Sequence, residues 1–317
     1  MVQVLKEEIR LSILLAAQDE FMQTGLGVAS HMLRKIGQYT TKAGYNLEYS
    51  VAGQGEPILI MHGGHSNCNE EFGYLELTGR GYSVITPSRP GYGKTSKEIG
   101  EHESTSCDSY LELLDHLKVP QVHIIAISAG GPSGIHFASK YPQRVRSLTL
   151  QSAVTHQWLT PADLLFRSAQ LMFHPYTEKY LWKMLRFMNM IFPAYLFRKM
   201  VSSFSQLNVE KVLPQISEED KRQFKSMINR QRSGHGFKID LKQTSYNQSN
   251  ELSAIQCPTL ILHSRYDASV PVEHAHYAQK YIPNAQLYVL ESWGHLIWIG
   301  EGAADMYHKL FEFLDNN

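Results

Sequence analysis

Three side chains have the types and settings that acyl-transfer chemistry needs. Ser128 ends an apolar run at residues 122–131 (VHIIAISAGG), with Ala126 two positions before it and Gly130 two after. A serine hydroxyl is a weak nucleophile near neutral pH and needs an adjacent base. Small neighbours let a strand turn sharply into a helix and hold the serine exposed on a strained backbone. Asp267 lies in residues 263–271 (HSRYDASVP) and His295 in residues 291–295 (ESWGH). Each follows its own strand-like run. His295 is therefore the expected base that takes the proton from Ser128 and later returns it to the leaving group. Asp267 is the expected partner that holds the imidazole tautomer and stabilises its cation.

These residues need a scaffold that brings three distant loops to one edge. Continuous apolar runs at residues 57–61, 82–86, 122–127, 145–150, 258–263 and 286–290 read as strands buried on both faces. Between and after them, residues 103–117, 129–141, 272–281 and 301–314 have helical spacing. Strands alternating with helices predict a mostly parallel sheet covered on both sides. Residues 39–51 alternate around Ala43-Gly44 and read as a β-hairpin ahead of that sheet. Open sheets of this kind bind their ligands at the carboxyl ends of the strands, where all three candidate side chains fall.

The serine turn resembles the nucleophile elbow of the α/β-hydrolase superfamily, with Ala126 standing where a glycine is usual. The order Ser, Asp, His is the one expected for that fold. His62-Gly63-Gly64, after the strand at residues 57–61, matches the superfamily's His-Gly-x pattern. Residues 88–95 (SRPGYGKT) resemble its Asp-x-x-Gly-x-Gly-x-Ser loop, with Ser88 in place of Asp. The resemblance covers residues 39–154 and 251–314. It implies an α/β-hydrolase fold: a mostly parallel central sheet, helices on both faces and an all-helical cap insertion. It also implies an oxyanion hole made by the backbone N–H groups of Gly64 and Ala129. No metal and no cofactor are implied; His62 and His65 lack a third ligand for zinc.

Residues 157–250 break the strand rhythm. Met, Leu, Phe, Lys and Arg recur there at helical spacing, punctuated by Pro175, Pro193 and Pro214. The expected organisation is an N-terminal helical extension (1–38), a core domain (39–156 and 251–317) and a helical cap inserted at 157–250. Trp158, Met172 and Met188 of the insertion, with His62, His65 and Trp293 of the core, are expected to line an apolar substrate pocket. The chain has 30 Lys+Arg and 30 Asp+Glu. The insertion alone carries 14 Lys/Arg against 7 Asp/Glu, which leaves 16 against 23 elsewhere. Such an excess more often marks a solvated helix surface than a binding patch. No nucleic-acid motif accompanies it.

Cys68, Cys107 and Cys257 are odd in number and widely spaced, which argues against a disulfide framework and for a cytoplasmic protein. Residues 4–22 read as an amphipathic helix, too short and too charged to span a bilayer, that packs on the body or on a second copy in a homodimer. The expected activity is hydrolysis of a small to medium apolar carboxylic ester or lactone through an acyl-enzyme on Ser128. The same three residues would serve a C–C bond hydrolase, an amidase or aminopeptidase, or a cofactor-free perhydrolase. A small-molecule receptor without turnover is the non-enzymatic alternative.

Overall fold

The apolar runs become strands whose successive side chains face opposite layers. The computed structural model describes residues 34–160, 162–245 and 247–317. Its strands are β1 (Arg34–Thr40), β2 (Asn46–Gly53), β3 (Glu56–Met61), β4 (Tyr82–Pro87), β5 (Val122–Ile127), β6 (Val145–Gln151), β7 (Thr259–Ser264) and β8 (Gln286–Leu290). They form one sheet in the order β1-β2-β4-β3-β5-β6-β7-β8. The pairs β1–β2 and β2–β4 are antiparallel, and every other pair is parallel.

The alternation is visible in β3. Ile58 and Ile60 join one apolar cluster, with Ile125, Leu260 and the helix Ala303–Asp315. Leu59 and Met61 join the other, with Ile124, Leu148 and the helices Glu103–His116, Gly131–Lys140 and Glu273–Tyr281. Every residue of β5 and of β7 is buried, as strands covered on both faces must be.

The expected hairpin forms with its turn at residues 41–45, where Gly44 takes φ 84. It starts earlier than its pattern suggested. Residues 34–38, read from sequence as part of a helical extension, belong to β1. That edge strand is mostly polar (RKIGQYT) and half exposed, so it has no buried face to betray it. The amphipathic helix expected at residues 4–22 lies outside the described residues.

Between β6 and β7 run helices Leu164–Met172, Glu178–Ile191, Pro193–Phe204, Val209–Val212, Glu218–Arg230, Gly236–Gln243 and Ser249–Ser253. Ser217 and Asp220 form a capping box at the start of Glu218–Arg230. The same Asp220 accepts a hydrogen bond from Gly300 N–H at 3.0 Å, tying this helix to the body. The apolar core of the insertion is continuous with that of the body. Leu196, Phe197, Val201 and Phe224 belong to the same cluster as Trp293, Ile297 and Ile299. Among the described residues, no helix is long and apolar enough to cross a membrane.

Candidate active site

β5 runs directly into a short 3₁₀ turn, Ser128–Gly130, and then into the helix Gly131–Lys140. Ser128 has φ 51, in the left-handed region that costs an L-residue about 1–3 kcal/mol. The turn is tight enough to require its glycines. A Cβ on Gly130 would lie 2.2 Å from the Met61 carbonyl, and one on Gly131 2.0 Å from that of Val154. Ala126 fits because Gly134 makes room for it, since a Cβ there would come within 2.5 Å of the Ala126 methyl. The glycine missing two positions before the serine is thus offset by one six positions after it.

Ser128 Oγ is 3.0 Å from His295 Nε2, and His295 Nδ1 is 2.7 Å from Asp267 Oδ2. Asp267 is fully buried. Its Oδ1 accepts hydrogen bonds from the backbone N–H groups of Ser269 and Val270, both at 2.8 Å. Burial opposes ionisation of this carboxyl. Its attraction to His295 and hydrogen bonds from His263 and His295 outweigh that cost and hold its pKa down at about 2. An Asp ionised this firmly fixes the proton of His295 on Nδ1, leaving Nε2 to accept from the Ser128 hydroxyl.

The loop after β3 packs against the serine turn. A Cβ on Gly63 would lie 3.2 Å from that of Ser128, and one on Gly64 3.8 Å from that of Ala129. Among the described residues, neither Gly64 N–H nor Ala129 N–H has a hydrogen-bond acceptor. Both remain available to a developing oxyanion.

The residues read as pocket lining have varied fates. His62 is fully buried and braces two loops: its Nδ1–H donates to the Gly63 carbonyl at 2.8 Å, and its Nε2 accepts from Arg89 N–H at 2.9 Å. Burial, with Arg89 beside it, holds its pKa well below the usual histidine range. Trp293 is fully buried in the core, its Nε1–H donating to the Ile299 carbonyl at 3.0 Å. Met188 packs on that same core, and Met172 is 51% exposed. Met172 and Met188 lie elsewhere because helical spacing marks an apolar face without saying what that face meets, and His62 and Trp293 because nearness in sequence to a site residue does not set which way a side chain faces. Trp158 packs with Phe166, Tyr92 and Phe237, and donates through Nε1–H to the Ser269 carbonyl at 3.0 Å. His65 sits beside Gly64 among aromatic rings.

Two supports carry no sequence signal. His263, at the end of β7, directs Nε2–H at the Val270 carbonyl (2.8 Å) and lies 3.3 Å from Asp267 Oδ2. From the insertion, residues 204–206 clamp both loops. The Phe204 carbonyl accepts from His295 N–H (2.8 Å) and Ala268 N–H (3.2 Å), while the Gln206 side-chain amide donates to the Asp267 carbonyl (2.8 Å). Among the described residues, no group of three His, Cys, Asp or Glu side chains is placed to hold a metal ion.

A family model described as "alpha/beta hydrolase fold" matches residues 56–301. An uncharacterized hydrolase of Bacillus subtilis (strain 168) is 52% identical over 285 residues, 90% of this chain and 100% of that protein. A 2-hydroxy-6-oxononadienedioate/2-hydroxy-6-oxononatrienedioate hydrolase of Comamonas testosteroni is 25% identical, covering 86% of this chain and 92% of its own. Among solved structures, an alpha/beta hydrolase fold protein from Nakamurella multipartita aligns with a TM-score of 0.75 at 24% identity, over 88% of this chain and 99% of that one.

Proposed function

The chain belongs to the alpha/beta hydrolase fold family, and from that premise we propose that this hydrolase cleaves carboxylic esters through an acyl-enzyme on Ser128. The observation that carries this reading is the unbroken chain from Ser128 Oγ through His295 to Asp267, at 3.0 and 2.7 Å. His295 Nε2 takes the hydroxyl proton as Oγ attacks the ester carbonyl. Asp267 stabilises the imidazolium, and the N–H groups of Gly64 and Ala129 receive the negative oxygen. His295 then returns the proton to the departing alcohol, and water, deprotonated by the same nitrogen, releases the acid. Residues 157–250 act as the cap over this site, and a lactone is the cyclic form of the same substrate class. Hydrolysis of a carbon–carbon bond is a second reading. The Comamonas testosteroni relative, by the oxo-diacid in its name, favours it.

A serine-reactive fluorophosphonate and a series of p-nitrophenyl esters test the first reading. The wild type is expected to label and to turn over short-chain esters, and Ser128→Ala to lose both. Labelling that persists in Ser128→Ala overturns the nucleophile. Labelling without turnover of any ester shifts the assignment to the carbon–carbon reading.

A further inference from the structure

His62-Gly63-Gly64-His65 carries a second histidine one position beyond the glycine assigned to the oxyanion. His65 has φ 62, a left-handed backbone held by a residue with a Cβ. Its ring stacks on Phe237 with centroids 4.2 Å apart and leans on Phe173 at 4.3 Å and Trp182 at 5.3 Å. A Cβ added to Gly64 would meet that same Phe237 ring at 3.7 Å, so the stack borders the oxyanion turn directly.

The protonation of the ring follows from its partner. Ser233 is fully buried, and its Oγ is 2.8 Å from both Trp182 Nε1 and His65 Nδ1. The indole N–H only donates, so Oγ accepts from it. Were Oγ to accept from His65 as well, its own buried proton would have no acceptor. Ser233 therefore donates to Nδ1, and the proton of the neutral ring sits on Nε2. Burial holds the His65 pKa down at about 3, so the ring stays neutral at any working pH. Nε2 has no hydrogen-bond partner among the described residues and is not fully enclosed. A fixed, accessible donor thus stands among aromatic rings at the edge of the reaction site.

Resting on the acyl-enzyme reading, we propose that His65 Nε2–H recognises a neutral oxygen acceptor, a ketone or ether oxygen, on the acyl part of the substrate. The rings around it favour a flat or apolar acyl chain that carries this oxygen. They disfavour a carboxylate, because an anion set among rings is costly and the nearby Arg232 is already paired with Glu178.

The test compares kcat/KM for p-nitrophenyl esters of pentanoate, 4-oxopentanoate and the half-ester of pentanedioate. The oxo-ester is expected to lead pentanoate by about tenfold, the worth of one net hydrogen bond, and the anionic ester to trail both. His65→Phe keeps a ring in the stack and removes the donor, so the oxo-to-alkyl ratio falls to about one. Ser233→Ala frees the tautomer without touching the ring and lowers the ratio part-way. A wild-type ratio near one, or a ratio unmoved by His65→Phe in protein that still labels at Ser128, overturns the proposal while leaving the nucleophile standing. If no ester turns over, ¹⁵N spectra of His65 decide the matter. A protonated Nε2 that shifts on adding 4-oxopentanoate and not on adding pentanoate supports the proposal. A proton on Nδ1, or equal responses to both acids, overturns it.

Discussion

Asp267 gathers two histidines on one carboxylate oxygen: His295 at 2.7 Å and His263 at 3.3 Å. Its remaining oxygen is saturated by two backbone N–H groups, so the carboxylate cannot turn. Asp267→Asn keeps the shape and presents an amide N–H or a weaker acceptor to His295, which then loses its useful tautomer. The expected result is a fall in kcat of roughly 10⁴-fold with the circular dichroism spectrum unchanged. Activity within tenfold of wild type would mean that another carboxylate orients the ring. The same residue shapes acid stability. A carboxyl held at about 2 in the folded chain lies below its unfolded value, so its ionised form contributes stability above about pH 4. That contribution is lost as pH falls through about 2. Urea midpoints measured between pH 5 and 2 should therefore drop more steeply for the wild type than for Asp267→Asn.

Residues 204–206 tie the insertion to the loops that carry His295 and Asp267. The Phe204 carbonyl holds the backbone of His295, Ser205 Oγ donates to the Trp293 carbonyl, and Gln206 holds the Asp267 loop. Close approach of the two segments needs Gly294, because a Cβ there would sit 2.4 Å from the Phe204 carbonyl. Gly294→Ala must push the His295 loop away from this clamp. An ångström of displacement can cost about 100-fold in rate, so kcat for a p-nitrophenyl ester is expected to fall by that order. Gly79→Ala is the control, since a Cβ there meets nothing within 4 Å. Equal activity of the two variants would remove the clamp from the machinery. None of this contact was legible in the sequence. The strands, the elbow and the order of the three polar residues were legible because each is written locally, as an apolar run or a small-residue turn. The clamp depends on which loop meets which, and β1 on pairing with a neighbour. Trp293 and His62 were misplaced for the same reason: proximity in sequence to a reacting residue does not say which way a side chain faces.

At the scale of the whole chain, the net positive charge of the insertion and the negative charge of the remainder suggest an attraction that salt would weaken. The buried ion pair between them is built the other way round. Arg89 of the body is fully buried and makes a two-pronged pair with Asp240 of the helix Gly236–Gln243, at 2.6 and 2.9 Å. Tyr92 donates to the same carboxylate at 2.6 Å, and Arg89 Nε–H donates to the His62 carbonyl at 2.6 Å. In this buried pair the insertion contributes the acid and the body the base, against the sign of their totals, while the more exposed pair of Arg230 with Glu71 follows that sign. Ions in solvent screen exposed charges over about 10 Å or less, and they reach a dry pair of this kind poorly. Turnover of an uncharged ester is accordingly expected to change by less than about twofold between 50 and 500 mM NaCl. Asp240→Asn should behave quite differently. It strands a buried guanidinium without its counter-charge, a loss of roughly 3–5 kcal/mol in urea unfolding, and it loosens the loop that His62 braces beside Gly63. A large salt response in the wild type, with a mild Asp240→Asn, would return the docking of the insertion to its surface charge.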